Sequence, residues 1–155
     1  MASRPATCAR DKYVFEKALE FARAGGRIDI TTGGSCCFES PADAVEAAWE
    51  AGIEPSLITM SSDGHGSVPR FNDKGEMIGL GVGGVACNLR DLKKLIERGH
   101  SPEKVLPLLS KGEVYGGCSA DLCLFDQDWN LKHVLSKGQM MMKDRELLVK
   151  GTFEI

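Results

Sequence analysis

The sequence predicts an α/β chain that passes into an antiparallel β-meander toward its C-terminal end. Two observations predict it. Up to about residue 61, segments with apolar residues at helical spacing alternate with short apolar runs of strand length. Beyond residue 111 the helical spacing stops, and the runs ADLCLF, NLKHVLS, QMMMK and ELLVKGTF follow one another across short turn signals. The expected division is therefore residues 1–110, an α/β region, and 111–155, a strand region.

Taken in order, the first element is a helix over about residues 11 to 24, DKYVFEKALEFARA. Asp11 is its N-cap, Val14, Ala18, Leu19 and Ala22 form one face with Phe15 and Phe21 widening it, and Gly25-Gly26 end it. RIDIT is a short strand with Ile28 and Ile30 on one side. A second helix starts at Ser40-Pro41-Ala42-Asp43, with serine as N-cap, proline at the first helical position and an acid in the first turn. Val45, Ala48 and Trp49 make its inner face and Gly52 stops it. LITMS, residues 57 to 61, is a continuous apolar strand, as suits burial on both faces. A helical crossover joins the two strands, so they should lie parallel. Residues 64 to 87 read as a loop with a turn at Asn72-Asp73-Lys74-Gly75. A third helix is expected over about 89 to 98, with Leu89, Leu92, Leu95 and Ile96 inward, and Ser101-Pro102 opens a short fourth. In the strand region, Gly138 and Lys143-Asp144-Arg145 separate the last three runs, and Met140-Met141-Met142 reads as strand filling.

The chain has 155 residues, enough for one ordinary domain, with 43% hydrophobic and 26% charged residues. Its formal net charge is −3 and no basic stripe is present, which argues against a nucleic-acid partner. No apolar run approaches the roughly 20 residues a membrane helix needs, and MASRPATCARDK lacks the apolar centre of a signal peptide, so a cytoplasmic location is expected. The six cysteines are expected as small buried thiols rather than disulfides. The pair Cys36-Cys37 has no CxxC partner, and zinc-ribbon spacing is absent. His100 and His133 read as structural, and His65 as an exposed loop residue.

The stretch SSDGHGSVPRF, residues 61 to 71, puts an acid just past an apolar strand and between small residues. On spacing alone Asp63 reads more readily as a turn residue than as a catalytic one, since Asp-Gly is an ordinary turn pair. Arg10 alone reads as a solvated charge at a helix start, where a cation gains nothing from the helix dipole.

The runs GGRIDITT, ITMSSDGHGSVPRF, KGEVYGGCSADLCLFD and VKGTFE, in this order, resemble the C-terminal part of the isoaspartyl dipeptidases, or β-aspartyl peptidases, of the amidohydrolase superfamily. The resemblance runs from about Arg10 to Glu154; SSDGxGS is its most specific piece, whereas GE…G..ADL is shared by many amidohydrolases. It implies a metal-dependent TIM-barrel hydrolase carrying a small β-sandwich. A whole barrel takes about 250 residues, so residues 27 to 31 and 57 to 61 are expected as its last two strands and the meander as the C-terminal share of the sandwich. It further implies that Asp63 ligates one zinc of a two-zinc site and acts as general acid/base, that Arg10 and Ser67 hold substrate carboxylates, that the substrate is a β-aspartyl dipeptide, and that the intact enzyme is a homo-oligomer. The family's other ligands, an HxH pair, a carbamylated lysine and two further histidines, mostly precede the region covered; the last histidine is expected three residues before Arg10, where Thr7 stands beside Cys8. Leu108-Leu109-Ser110 runs directly into Lys111-Gly112-Glu113, where the family carries another helix. The expectation is a C-terminal fragment or a decayed copy with little or no peptidase activity of its own; the alternative is a non-catalytic remnant, or an interaction or oligomerisation subunit that complements a separate N-terminal half.

Overall fold

A computed structural model describes residues 6–33, 36–72, 74–109 and 116–150. The chain falls into two compact units, Met1–Gly112 and Glu113–Ile155. Among the described residues no helix is long and apolar enough to cross a membrane.

The first unit is built on a parallel sheet of β1 (Ala6–Thr7), β2 (Ile28–Thr31) and β3 (Ile58–Ser61), in that order. Two strands were expected from the sequence; the third, β1, has only two residues and so carries no alternation to read. The helix α1 (Lys12–Arg23) joins β1 to β2 and α2 (Pro41–Glu50) joins β2 to β3. Asp11 caps α1 as its sequence predicts, its carboxylate accepting from the Tyr13 and Val14 N–H groups at 2.9 and 3.1 Å. Phe15, Ala18 and Ala22 are the buried face of α1, while Val14 and Phe21, expected inward, are 45% and 44% exposed. Leu19 packs against the same core while partly exposed. Ser40 has the extended backbone of an N-cap, but its hydroxyl donates to Asp43 at 2.6 Å instead of capping the helix backbone.

All four residues of the central strand β2 are buried, whereas β3 alternates between buried and half-buried positions, so only its Ile58 and Met60 reach the core. Ile28, Ile30, Ile58 and Met60 pack with Phe15, Ala18 and Ala22 of α1, Val45 and Ala48 of α2, and Leu92 and Leu95 of α3 (Ala86–Glu97). The helix α3 begins three residues earlier than its apolar spacing indicated, because no cap residue marks Val85. The short helix α4 (Pro102–Val105) follows, and a 3₁₀ turn over Leu106–Leu109 adds Leu108 to the same core.

The stretch 64–87, expected as a loop, contains an antiparallel hairpin of β4 (Ser67–Phe71) and β5 (Met77–Val82). Pro69, Gly79 and Gly81 mask the strand signal, as proline and glycine do in edge ribbons. The turn lies where the sequence put it: the Asn72 side chain accepts from the Lys74 and Glu76 N–H groups at 3.0 and 2.9 Å. Along β5, Met77, Ile78, Leu80 and Val82 are 62 to 79% exposed.

The second unit holds the expected meander: β6 (Leu122–Phe125), β7 (Leu131–Ser136), β8 (Gln139–Lys143) and β9 (Glu146–Leu147), each antiparallel to the next. Two-residue turns link the last three strands, with positive φ at Lys137 and Gly138 and again at Asp144 and Arg145, the backbone that matches the twist of paired strands. The KGE run at 111–113 and the TFE ending lie outside the described residues.

Candidate functional site

In a parallel sheet all C-terminal strand ends share one edge. Here that edge is formed by Thr7, Thr31 and Ser61, and the chain just beyond it carries Arg10, Thr32-Gly33 and Ser62-Asp63. The Thr32 N–H donates to the Ser61 carbonyl at 2.7 Å, and its hydroxyl donates to Asn88 Oδ1 of α3 at 2.6 Å. The edge is thereby tied to the start of that helix.

Asp63 stands two residues past β3, is exposed, and has a left-handed backbone with φ of 49°. His65 follows with φ of 66° and an exposed side chain. The small residues around them have geometric causes. A Cβ on Gly64 would come within 2.7 Å of Val85 and 3.0 Å of the Ser62 hydroxyl. A Cβ on Gly66 would come within 2.8 Å of the Asp63 carbonyl oxygen and 3.3 Å of its carboxylate. The turn closes through the Gly66 N–H donating to the Asp63 carbonyl at 2.9 Å. Two further backbone bonds fasten it: His65 N–H to the Gly83 carbonyl and Gly83 N–H to the Gly66 carbonyl, each 2.9 Å. Ser67 opens β4 opposite Val82 and is exposed, and Arg10 is exposed in the turn before Asp11. The structure thus brings Arg10, Asp63 and Ser67 to chain segments that leave the same sheet edge. Among the described residues, no hydrogen bond or ion pair joins any of the three to another.

A metal centre does not assemble from the described residues: no group of three or more His, Cys, Asp or Glu side chains is placed to hold an ion. Thr7, at the place of the expected histidine, is the last residue of β1. Cys8 does not stand in for it. Its side chain is fully buried, its thiol donates to the Asp29 carbonyl at 3.3 Å, and burial, with the Asp29 carboxylate second, pushes its pKa up to about 12. A thiol that keeps its proton is a poor metal ligand. The other five cysteines are free as well, but Cys37, Cys118 and Cys123 are exposed, against the expectation of buried thiols.

Two carboxylates escaped the sequence reading. Asp29 is buried in the central strand and accepts from the hydroxyls of Thr59 at 2.8 Å, Ser61 at 2.6 Å and Thr31 at 3.4 Å. Its signal was available, since the polar residue between Ile28 and Ile30 faces threonine and serine on β3 once the strands are aligned. Its oxygens are engaged in holding strands together. Asp91, on α3, is fully buried; Oδ2 accepts from Arg90 at 2.9 Å, while Oδ1 has no hydrogen-bond partner among the described residues and only the Lys94 ammonium at 3.8 Å.

Beside the Asp63 turn lies a cleft of about 320 Å³, lined among others by Thr32, Gly33, Arg70, Gly83, Cys87 and Arg90.

No protein-family model matches the chain. Solved structures do. The crystal structure of β-aspartyl dipeptidase from the thermophilic keratin-degrading Fervidobacterium islandicum AW-1, in complex with β-Asp-Leu dipeptide, matches with a TM-score of 0.77 at 34% identity, over 94% of this chain and 41% of that one. A second crystal structure of β-aspartyl dipeptidase from that organism matches with a TM-score of 0.73 at 30% identity, over 94% of this chain and 39% of that one. The chain spans about two-fifths of the length of these enzymes. Over that share the resemblance read from the sequence holds in fold as well.

Proposed function

We propose that this chain is the C-terminal part of a β-aspartyl dipeptidase, a hydrolase of β-aspartyl dipeptides, with Asp63 as its proton-carrying carboxylate. One observation carries the reading. In a chain 34% identical to such an enzyme, Asp63 sits exposed just past the C-terminal end of a parallel strand, the edge on which parallel α/β folds carry their chemistry. A carboxylate there can accept a proton from an attacking water and deliver it to the departing amine. Arg10 and Ser67 receive the substrate's carboxylates, a guanidinium fork and a hydroxyl being suited to that task. The parallel sheet is then the last part of a TIM barrel, and the meander belongs to a β-sandwich.

Zinc does not fit the described residues by themselves. Asp63 offers one carboxylate, and a zinc ion takes three or four protein ligands. In this reading the other ligands belong to polypeptide outside this chain, and the chain alone neither holds two zincs nor hydrolyses peptides. Purified chain supplied with zinc should bind less than one ion per chain and leave β-aspartyl-leucine intact; two bound zincs with turnover abolished by Asp63→Asn would overturn the inactivity. The role of Asp63 is tested by grafting residues 6–150 onto the N-terminal part of an active β-aspartyl dipeptidase. Asp63→Asn should lower kcat of that chimera by about 10²- to 10⁴-fold and leave its thermal unfolding unchanged.

The exposed apolar row of β5 favours a second reading, a subunit that associates with an N-terminal half or with copies of itself. Light scattering of the purified chain distinguishes the two: a stable oligomer that persists on dilution supports association.

A further inference from the structure

We infer that the cleft beside the Asp63 turn is an anion subsite, with Arg70 and Arg90 as the receptors for a further carboxylate. Resting on the dipeptidase reading, this makes the favoured substrates β-aspartyl dipeptides whose second residue is acidic. The placement comes first. Thr32 and Gly33, on one wall, directly follow β2, and Gly83, on another, is hydrogen-bonded to His65 and Gly66 of the Asp63 turn. The cleft therefore adjoins the turn that carries the proposed reacting carboxylate.

The charge balance comes second. Two guanidinium groups line the cleft. The side chain of Arg70, an exposed residue of β4, has no ion-pair or hydrogen-bond partner among the described residues. Arg90 is anchored from behind: one of its nitrogens donates to the buried Asp91 carboxylate at 2.9 Å and to the Thr32 carbonyl at 3.4 Å, while its side chain stays 58% exposed. Asp91 offsets part of the Arg90 charge, and no carboxylate is among the residues that line the cleft. Arginine's fixed fork still has donors to offer when one nitrogen is engaged. Third, Gly33, Gly81, Gly83 and Gly84 are among the lining residues, and the lack of side chains there leaves room for a ligand. At about 320 Å³ the cleft falls at the lower end of the small-ligand range. Arg10 and Ser67 belong to the carboxylates every β-aspartyl dipeptide carries; Arg70 and Arg90 add a receptor for one more.

The test is calorimetric titration of the full chain with β-aspartyl-glutamate, its neutral isostere β-aspartyl-glutamine, and glutarate alone, at low salt. The acidic dipeptide should bind about tenfold more tightly than the amide, the scale of one charge-assisted hydrogen bond. Arg70→Gln should erase that difference and Arg70→Lys retain part of it. Arg70 lies on an exposed strand, so the variants should fold, which circular dichroism checks. Equal binding of the two dipeptides, a preference that survives Arg70→Gln, or no binding of any of the three ligands overturns the inference. Arginine-dependent binding of glutarate with no binding of either dipeptide keeps the anion subsite and removes the preference for acidic dipeptides. Cleavage of both dipeptides at equal rates by the grafted enzyme keeps the dipeptidase reading and removes the acidic preference.

Discussion

Every fully buried apolar side chain among the described residues lies between Cys8 and Leu108, while in 116–150 no side chain is buried. Yet the two regions draw on similar residues: β2 and β3 carry Ile28, Ile30, Ile58 and Met60, and the meander carries Leu122, Leu131, Val134, Leu135 and Met140 to Met142. What separates them is a second layer. The connections α1 and α2 necessarily cross the face of the parallel sheet and cover it. Hairpin turns take the chain from one meander strand to the next without crossing any face, so each strand stays half-exposed. Composition therefore decides what can be buried, and connectivity decides what is.

The largest test of this contrast is truncation in both regions. Ile30→Ala removes a fully buried side chain and should cost about 2–5 kcal/mol in urea unfolding, whereas Leu135→Ala, at a half-buried position, should cost less than about 1.5 kcal/mol. Equal losses would mean that the meander owns a core comparable to that of the sheet. Next in size is Asp29→Ala, which removes the shared acceptor of the Thr59 and Ser61 hydroxyls and should cost about 1–3 kcal/mol. The smallest effect is a slope with pH. The folded Cys8 thiol holds its proton to about 12 while its unfolded counterpart ionises near 9.0. Ionisation then favours the unfolded chain, so the stability due to this group is complete below pH 9.0 and declines as pH rises toward 12, by about 1.4 kcal/mol per unit. Cys8→Ala should lack that part of the decline, and parallel denaturation curves at pH 8 and pH 10 measure it.

How far the sequence revealed this molecule follows the range of the forces involved. The cap at Asp11, the helix start at Ser40-Pro41, the turn at Asn72 and the meander turns at Gly138 and Asp144 were legible because each depends on a few neighbouring residues. The strand β1 was not, because its two residues are ordered by pairing with Ile28 and Asp29, 22 positions on. Nor was the β4–β5 hairpin, where Pro69 and two glycines hide the alternation. At the site, the SSDGHGS stretch announced Asp63 and its small neighbours, whose close contacts give them a reason. The cleft could not be read at all. Arg70 lies on a hairpin and Arg90 on a helix, and only the tertiary fold brings them to one opening.

The double backbone link at Gly83 makes the Asp63 turn a mechanical extension of β5. Pressure or displacement on the hairpin is transmitted to the acid through two short struts, without passing through any side chain. Main chain alone thus couples the hairpin to the turn, and a shift of Gly83 must carry the backbone of His65 and Gly66 with it.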